Sequence, residues 1–299
     1  MNAETNINNM SKDKNKKKKR SPGLVAGMIL VVLIIILLIT LAMFMSYDEV
    51  TNVFLAGKLD IVLTEEKWDK LPPEEKENIV PNAELDKDPK IINKEVDADV
   101  FLEVTVPYVT LKIDDNDTNK GQLLIGGGKN WTTEGVPAGS KYEDVPLYKF
   151  MINTGTAESP VYEYNTDYSS PAQKVNSDWY LMRGSNTNVG DDYNYTEKDE
   201  TNHTYIYRYA YVSTEQDGTM KNPLEMHPLI QGGETQTTLF DKIKLVNFRE
   251  NDSEFKFDRN RDYSIKVESY GIQAYFLAEN NTTKTNPYDV WNILKNTIN

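Results

Sequence analysis

The chain has 299 residues, with 33 basic against 46 acidic side chains, a formal net charge of -13 and no cysteine. That composition excludes a disulfide framework, a cysteine metal site and a thiol nucleophile, and an acidic surface disfavours a nucleic-acid partner. Stability has to come from a core, and 18 Tyr against 9 Phe in a chain that is 39 % hydrophobic suits half-buried strands better than helical bundles.

The first element in chain order is an export signal. Lys12 to Arg20 reads KDKNKKKKR, and it abuts 23 residues without a charge, Gly23 to Met45. A basic head is held on the cytoplasmic side while the apolar stretch enters the bilayer. Leu24 to Ile39 with its flanks is long enough to span, which on length alone fits a retained transmembrane helix. Thr40-Leu41-Ala42, however, puts small residues at the two positions a signal peptidase reads, and Ser46, Asp48 and Glu49 end the apolar run. The expectation is cleavage after Ala42, leaving Met43 as the new N-terminus, with an uncut anchor as the alternative. Removing residues 1 to 42 takes away seven basic and two acidic residues and leaves a net charge of -18. Such a chain stays soluble outside the cell until specific contacts overcome the repulsion.

Residues 43–57 form the next segment. In an extended strand Met43, Met45, Tyr47, Thr51, Val53 and Leu55 share one face, interrupted only by Glu49.

Residues 58–299 read as one all-β domain with long loop insertions. The predicted strands are Val53 to Leu63, Lys90 to Asn93, Val100 to Leu111, Gln122 to Ile125, Leu147 to Asn153, Trp179 to Met182, His203 to Val212, Leu239 to Phe248 and Tyr263 to Leu277. In FLEVTVPYV, Phe101, Val104, Val106 and Val109 are interleaved with Glu103, Thr105 and Tyr108, and YIYRYAYV also alternates. Short strands without long helices between them point to a sandwich or jelly roll. Asp114 to Pro146 and Ser169 to Thr201 are turn-rich and read as surface loops or a small inserted subdomain, a variable region of about 114–200. Asn286-Pro287 followed by YDVWNILKN places Val290, Trp291 and Leu294 on one face of a short closing helix.

These blocks together resemble a known family, the secreted TasA/camelysin proteins, and among them the clostridial BsaA-type, SipW-dependent biofilm matrix proteins. The resemblance is carried by Ala42-Met43-Phe44 and Asp48, by VFLAGKLDIVLTE (Val53 to Glu65) and by the spacing of Phe44 and Phe54. It continues in KDPKIINKEVDADVFLEVTVP (Lys87 to Pro107), TTLFDKIKLVNF (Thr237 to Phe248), YSIKVESYGIQAYFLA (Tyr263 to Ala278) and DVWNILKN (Asp289 to Asn296). Asp114 to Tyr195 has no aligning motif, and the lysine-rich head is longer than usual.

The resemblance implies a jelly-roll domain that is exported through the cytoplasmic membrane, trimmed by a signal peptidase and polymerised at the cell surface by donor-strand complementation. Met43, Phe44, Met45, Tyr47, Val53 and Leu55 are then the donor residues, and other copies of the chain are the partner. An open sheet edge exposes backbone groups that an extended peptide can satisfy, while its alternate side chains fill grooves. A membrane-anchored adhesin or fibre cap is the alternative.

Camelysin-like proteins have been classed as metallopeptidases, but the two histidines, His203 in a strand-like run and His227 before Pro228, have no ligand-spaced partner and no HExxH. No catalytic residue, metal site or cofactor is assigned. A structural calcium site is the exception kept open, at Asp114-Asp115-Asn116-Asp117, Asp191-Asp192 or Asp258 to Asp262. The first departs from an EF-hand, with Lys120 and Gly126 at the Gly and Glu positions, and the last reads better as a hairpin turn before a strand starting at Tyr263. Gly126 to Asn130 is no phosphate loop, since Asn130 and Trp131 supply neither the hydroxyl nor a helix start.

Overall fold

Short segments of alternating apolar and polar residues become strands in a computed structural model. It describes residues 45–48, 59–77, 80–113, 124–126, 142–183, 194–249, 261–274, 278–279, 282–283 and 285–298. The chain divides into Met1–Leu41 and Ala42–Asn299, and the first unit, with the expected export helix, lies outside the described residues.

In chain order the elements are β1 (Met45–Asp48), β2 (Ile61–Thr64), α1 (Glu66–Lys70), α2 (Pro73–Glu77), β3 (Glu84–Asp86), β4 (Lys90–Asn93), β5 (Ala98–Ile113) and β6 (Leu124–Gly126). There follow β7 (Tyr142–Pro146), β8 (Tyr148–Asn153), β9 (Tyr162–Glu163), β10 (Trp179–Leu181), β11 (Glu197–Asp199) and β12 (Thr204–Tyr211). The chain closes with β13 (Lys242–Leu245), β14 (Phe248–Arg249), β15 (Lys266–Gln273), β16 (Ala278–Glu279), β17 (Thr282–Thr283) and α3 (Pro287–Ile298).

The larger sheet runs β1-β15-β5-β12-β10, with β11 on β12, β7 and β6 on the far half of β5, and β14 parallel to β6. The smaller sheet runs β3-β13-β8-β9, and β2 pairs with β4. Strand β5 is the spine. Up to Pro107 it pairs with β15 and β12, and from Tyr108 it pairs with β7. A proline has no N–H for a ladder, so it sits where the partners change, while its carbonyl accepts from Leu147 at 2.9 Å.

The two sheets enclose one core. Val100, Leu102, Val104 and Val106 of β5 meet Phe150 of β8 and Ile243 and Leu245 of β13 there, together with a row of tyrosines on β12, Tyr205, Tyr207, Tyr209 and Tyr211. Phe150 stacks on Phe240 at 4.2 Å and meets Tyr207 edge-on at 5.7 Å. Gly271 on β15 lets β2 pass close by, since a Cβ there would stand 2.9 Å from Ile61 Cδ1.

A second cluster lies on the opposite face of the large sheet. Phe101, Met182, Ala210, Val212, Met226 and Ile272 are covered there by Val290 and Leu294 of α3. The helix starts where the sequence signals it, with Asn286 Oδ1 accepting from the Tyr288 N–H at 3.0 Å and Pro287 in the first turn.

Several expectations need correction. Phe101 does not share a face with Val104 and Val106, because strict alternation sends it to the helix-covered side. Leu239 to Phe248 is split into β13 and β14, since Val246 turns into the core and its N–H bonds the Leu147 carbonyl. The last long strand begins at Lys266 rather than Tyr263. His203 sits in the turn before β12 at φ 55°. The short helices α1 and α2, separated by Leu71-Pro72, were not expected. Parts of the two turn-rich stretches belong to the sheets, since β7 pairs with β5 and β11 with β12.

The edge of the smaller sheet is sealed by the segment after β9. Gln173 accepts from the Phe150 N–H at 3.0 Å and donates to the Tyr148 carbonyl at 3.0 Å, so one amide replaces a neighbouring strand.

Candidate functional site

The N-terminal strand ends the large sheet. Among the described residues β1 has one ladder partner, β15, in the antiparallel register Met45 to Ile272, Ser46 to Gly271, Tyr47 to Tyr270 and Asp48 to Ser269. Helix α3 lies against both strands. Its Trp291 meets Phe101 edge-on at 5.2 Å and Tyr270 at 5.4 Å, and the Arg208 guanidinium stacks over the same ring at 4.0 Å. Arg208 Nε donates to Glu103 Oε2 at 2.9 Å, and a second guanidinium nitrogen, Nη2, reaches the same oxygen. Burial pushes the Glu103 carboxyl up, against the pull of Arg208.

The ladder sets rows of residues across this face. Glu268, Glu103 and Arg208 form one row, and Tyr270, Phe101 and Ala210 the next. Beyond them Ile272 stands opposite Asp99, whose residue is 2 % exposed. Burial raises the Asp99 carboxyl to about 7, and its Oδ1 has no hydrogen-bond partner among the described residues.

A second constellation gathers where β5, β7 and β11 meet. Tyr108 donates to Glu200 Oε2 at 2.7 Å and stacks on His203 at 5.6 Å. Lys198 bridges Asp144 at 2.6 Å and Glu200 at 2.7 Å, and lies 4.8 Å over the Tyr108 ring. Arg261 holds the turn by donating to the His203 carbonyl at 2.8 Å. Burial, then the Arg261 charge, lowers the His203 pKa, so the ring is neutral near pH 7. Tyr108, Lys198, Asp144 and Glu200 engage one another and fasten the turn to the sheet. His227 stacks on Tyr211 at 5.0 Å, and burial lowers its pKa too.

Three lysines are buried among the described residues, Lys87, Lys149 and Lys244, the last paired with Glu84 at 2.7 Å. Lys87 pairs with Glu65 at 2.7 Å beneath the Trp68 ring, and burial pushes the amine down and the carboxyl up. Lys149 on β8 is wholly buried, donates to the Ser170 carbonyl, and is lowered by burial to about 7.

Of the sequence-predicted site residues, Met45 and Tyr47 fall on β1, at the register positions given above. Thr40, Ala42, Met43, Phe44, Val53 and Leu55 lie outside the described residues, as do Asp114 to Asp117 and Asp191-Asp192. No group of three or more metal-ligating side chains occurs among the described residues, and no described helix is long and apolar enough to cross a membrane. Sequence reasoning missed Asp99, Arg208 and Lys149. Their only signal was a charged residue inside an apolar strand. Compared with protein families, characterised proteins and solved structures, the chain gives no match.

Proposed function

We propose that this chain is a secreted structural subunit of extracellular matrix fibres of the TasA/camelysin type, exported, trimmed after Ala42 and assembled by exchange of its N-terminal strand. The observation that carries the reading is the place of β1, at the end of the large sheet with β15 as its partner. An edge strand can leave its own sheet, and an identical segment from another copy can take the vacated register with the same backbone bonds. Closed monomer and open polymer then share one set of contacts, so concentration and linker strain decide between them. Each large apolar side chain of the segment contributes about 1.5 to 3 kcal/mol when buried, enough for three or four anchors to offset the cost of ordering a short strand.

In this reading the domain is a jelly roll, its N-terminal helix is a removable signal, and the chain is a homopolymer subunit without catalytic centre or cofactor. The pairing of β1 within its own chain favours a second reading as well, a membrane-anchored adhesin or fibre cap that keeps its strand. Deleting Met43 to Glu49 from the processed protein tests the proposal. A folded monomer that forms no fibres by electron microscopy is the expected result, and fibres of normal length and abundance refute it. N-terminal sequencing of cell-surface and medium fractions separates the two readings, because an uncut anchor retains residues 1 to 42.

A further inference from the structure

We propose that Asp99 is a proton-controlled latch on the edge strand: with a neutral carboxyl the β1 edge stays closed, and ionisation of Asp99 releases β1 for exchange with a second copy. The biological use of the latch rests on the fibre reading above. Its physical test does not.

The geometry is that of a carboxyl placed where a charge cannot be solvated. Asp99 is 2 % exposed and stands opposite Ile272, which in turn stands opposite Met45 of β1. Alternation along β5 puts it on the face of Phe101, where the apolar cluster of Ile272, Val212, Met226, Val290 and Leu294 gathers. Helix α3, which covers that cluster, also lies against β1, so loosening the helix loosens the strand.

Charged and titratable groups stand on the elements around the site. Just before β5, Asp97 accepts the Gln231 N–H at 3.0 Å, and on β5 Glu103 binds Arg208 of β12. On β15, Glu268 pairs with Lys266 at 2.7 Å, and Tyr270 packs on Trp291. In the segment before residue 230, Glu225 pairs with Lys221 at 3.1 Å and His227 stacks on Tyr211. On α3, Tyr288 meets Tyr180, while Asp289 and Lys295 belong to its exposed positions. None of these forms a hydrogen bond or ion pair with Asp99, and burial alone accounts for its raised carboxyl.

The direction follows from linkage. The closed edge holds a proton on Asp99 up to about pH 7, whereas an opened, hydrated Asp99 returns toward its ordinary value of 3.8. Between those values opening releases a proton, so opening becomes easier as pH rises and levels off above 7. Full hydration sets a ceiling of roughly a thousand-fold on the change in the opening equilibrium, and partial hydration less.

The test is amide hydrogen exchange on the full chain in mild detergent, at pH 5 and pH 8, for the wild type and Asp99→Asn. Rates in peptides covering β1 and β15 are divided by the intrinsic rate at each pH. The expected result is a wild-type to variant ratio at least ten-fold larger at pH 8 than at pH 5, with β13 peptides unchanged. The same ratio at both pH values overturns the latch. Should Asp99→Asn fail to fold, Asp99→Leu, which matches the apolar surroundings and cannot ionise, gives the same two outcomes. Electron microscopy of the processed protein, residues 43 to 299, at the same two pH values separates the claims. A pH-dependent edge without fibres supports the latch and refutes the fibre reading, whereas fibres with a pH-independent edge refute the latch alone.

Discussion

Replacing Lys149 with Met should stabilise the protein in mild acid and lose that benefit in mild base. Lys149 is buried on β8, with an amine lowered by burial from 10.5 to about 7 and a hydrogen bond to the Ser170 carbonyl. The unfolded chain therefore binds the proton more tightly than the folded one between pH 7 and 10.5, so the cost of this lysine is full below about pH 7 and falls as pH rises. At pH 6 the cost is about 5 kcal/mol, and at pH 9 about 2 kcal/mol. The Met side chain fills similar volume, but it leaves the Ser170 carbonyl unbonded, which costs about 1 to 3 kcal/mol at either pH. Net, Lys149→Met gains about 2 to 4 kcal/mol at pH 6 and close to nothing at pH 9. Urea denaturation of both proteins at the two pH values measures it, and subtracting wild type from variant cancels the other titrating groups. A difference that does not change between pH 6 and pH 9 refutes the reasoning, because it would mean that Lys149 keeps its proton in the folded state.

Trp291→Ala removes a ring that touches Phe101, Tyr270 and Arg208 at once, so it should cost about 3 kcal/mol in urea denaturation and raise hydrogen exchange along β15. Glu103→Gln leaves the half-sheltered Arg208 guanidinium without its counter-charge and should cost about 2 to 3 kcal/mol, whereas Glu103→Gln combined with Arg208→Met recovers part of that loss in a double-mutant cycle.

Sequence alone determined the parts of this protein that depend on near neighbours. Strand β4 has the predicted bounds Lys90–Asn93, and the runs predicted at 147–153, 179–182 and 203–212 hold strands over 148–153, 179–181 and 204–211, because alternation and bounding turn residues act over a few positions. The closing helix was legible from Asn286, Pro287 and the spacing of Val290 and Leu294. Tertiary structure decided which side of each strand is inside. Phe101 and Val104 look alike in the sequence, yet a neighbouring helix contributed 190 residues later claims one of them and the inter-sheet core the other. It also decided which ionisable groups are buried. Arg208 finds Glu103 across a ladder that joins residues 105 positions apart, and Asp99 and Lys149 lose their water to strands and segments distant in the chain. No local pattern encodes such neighbours, because burial of a charge is a property of what is packed against it.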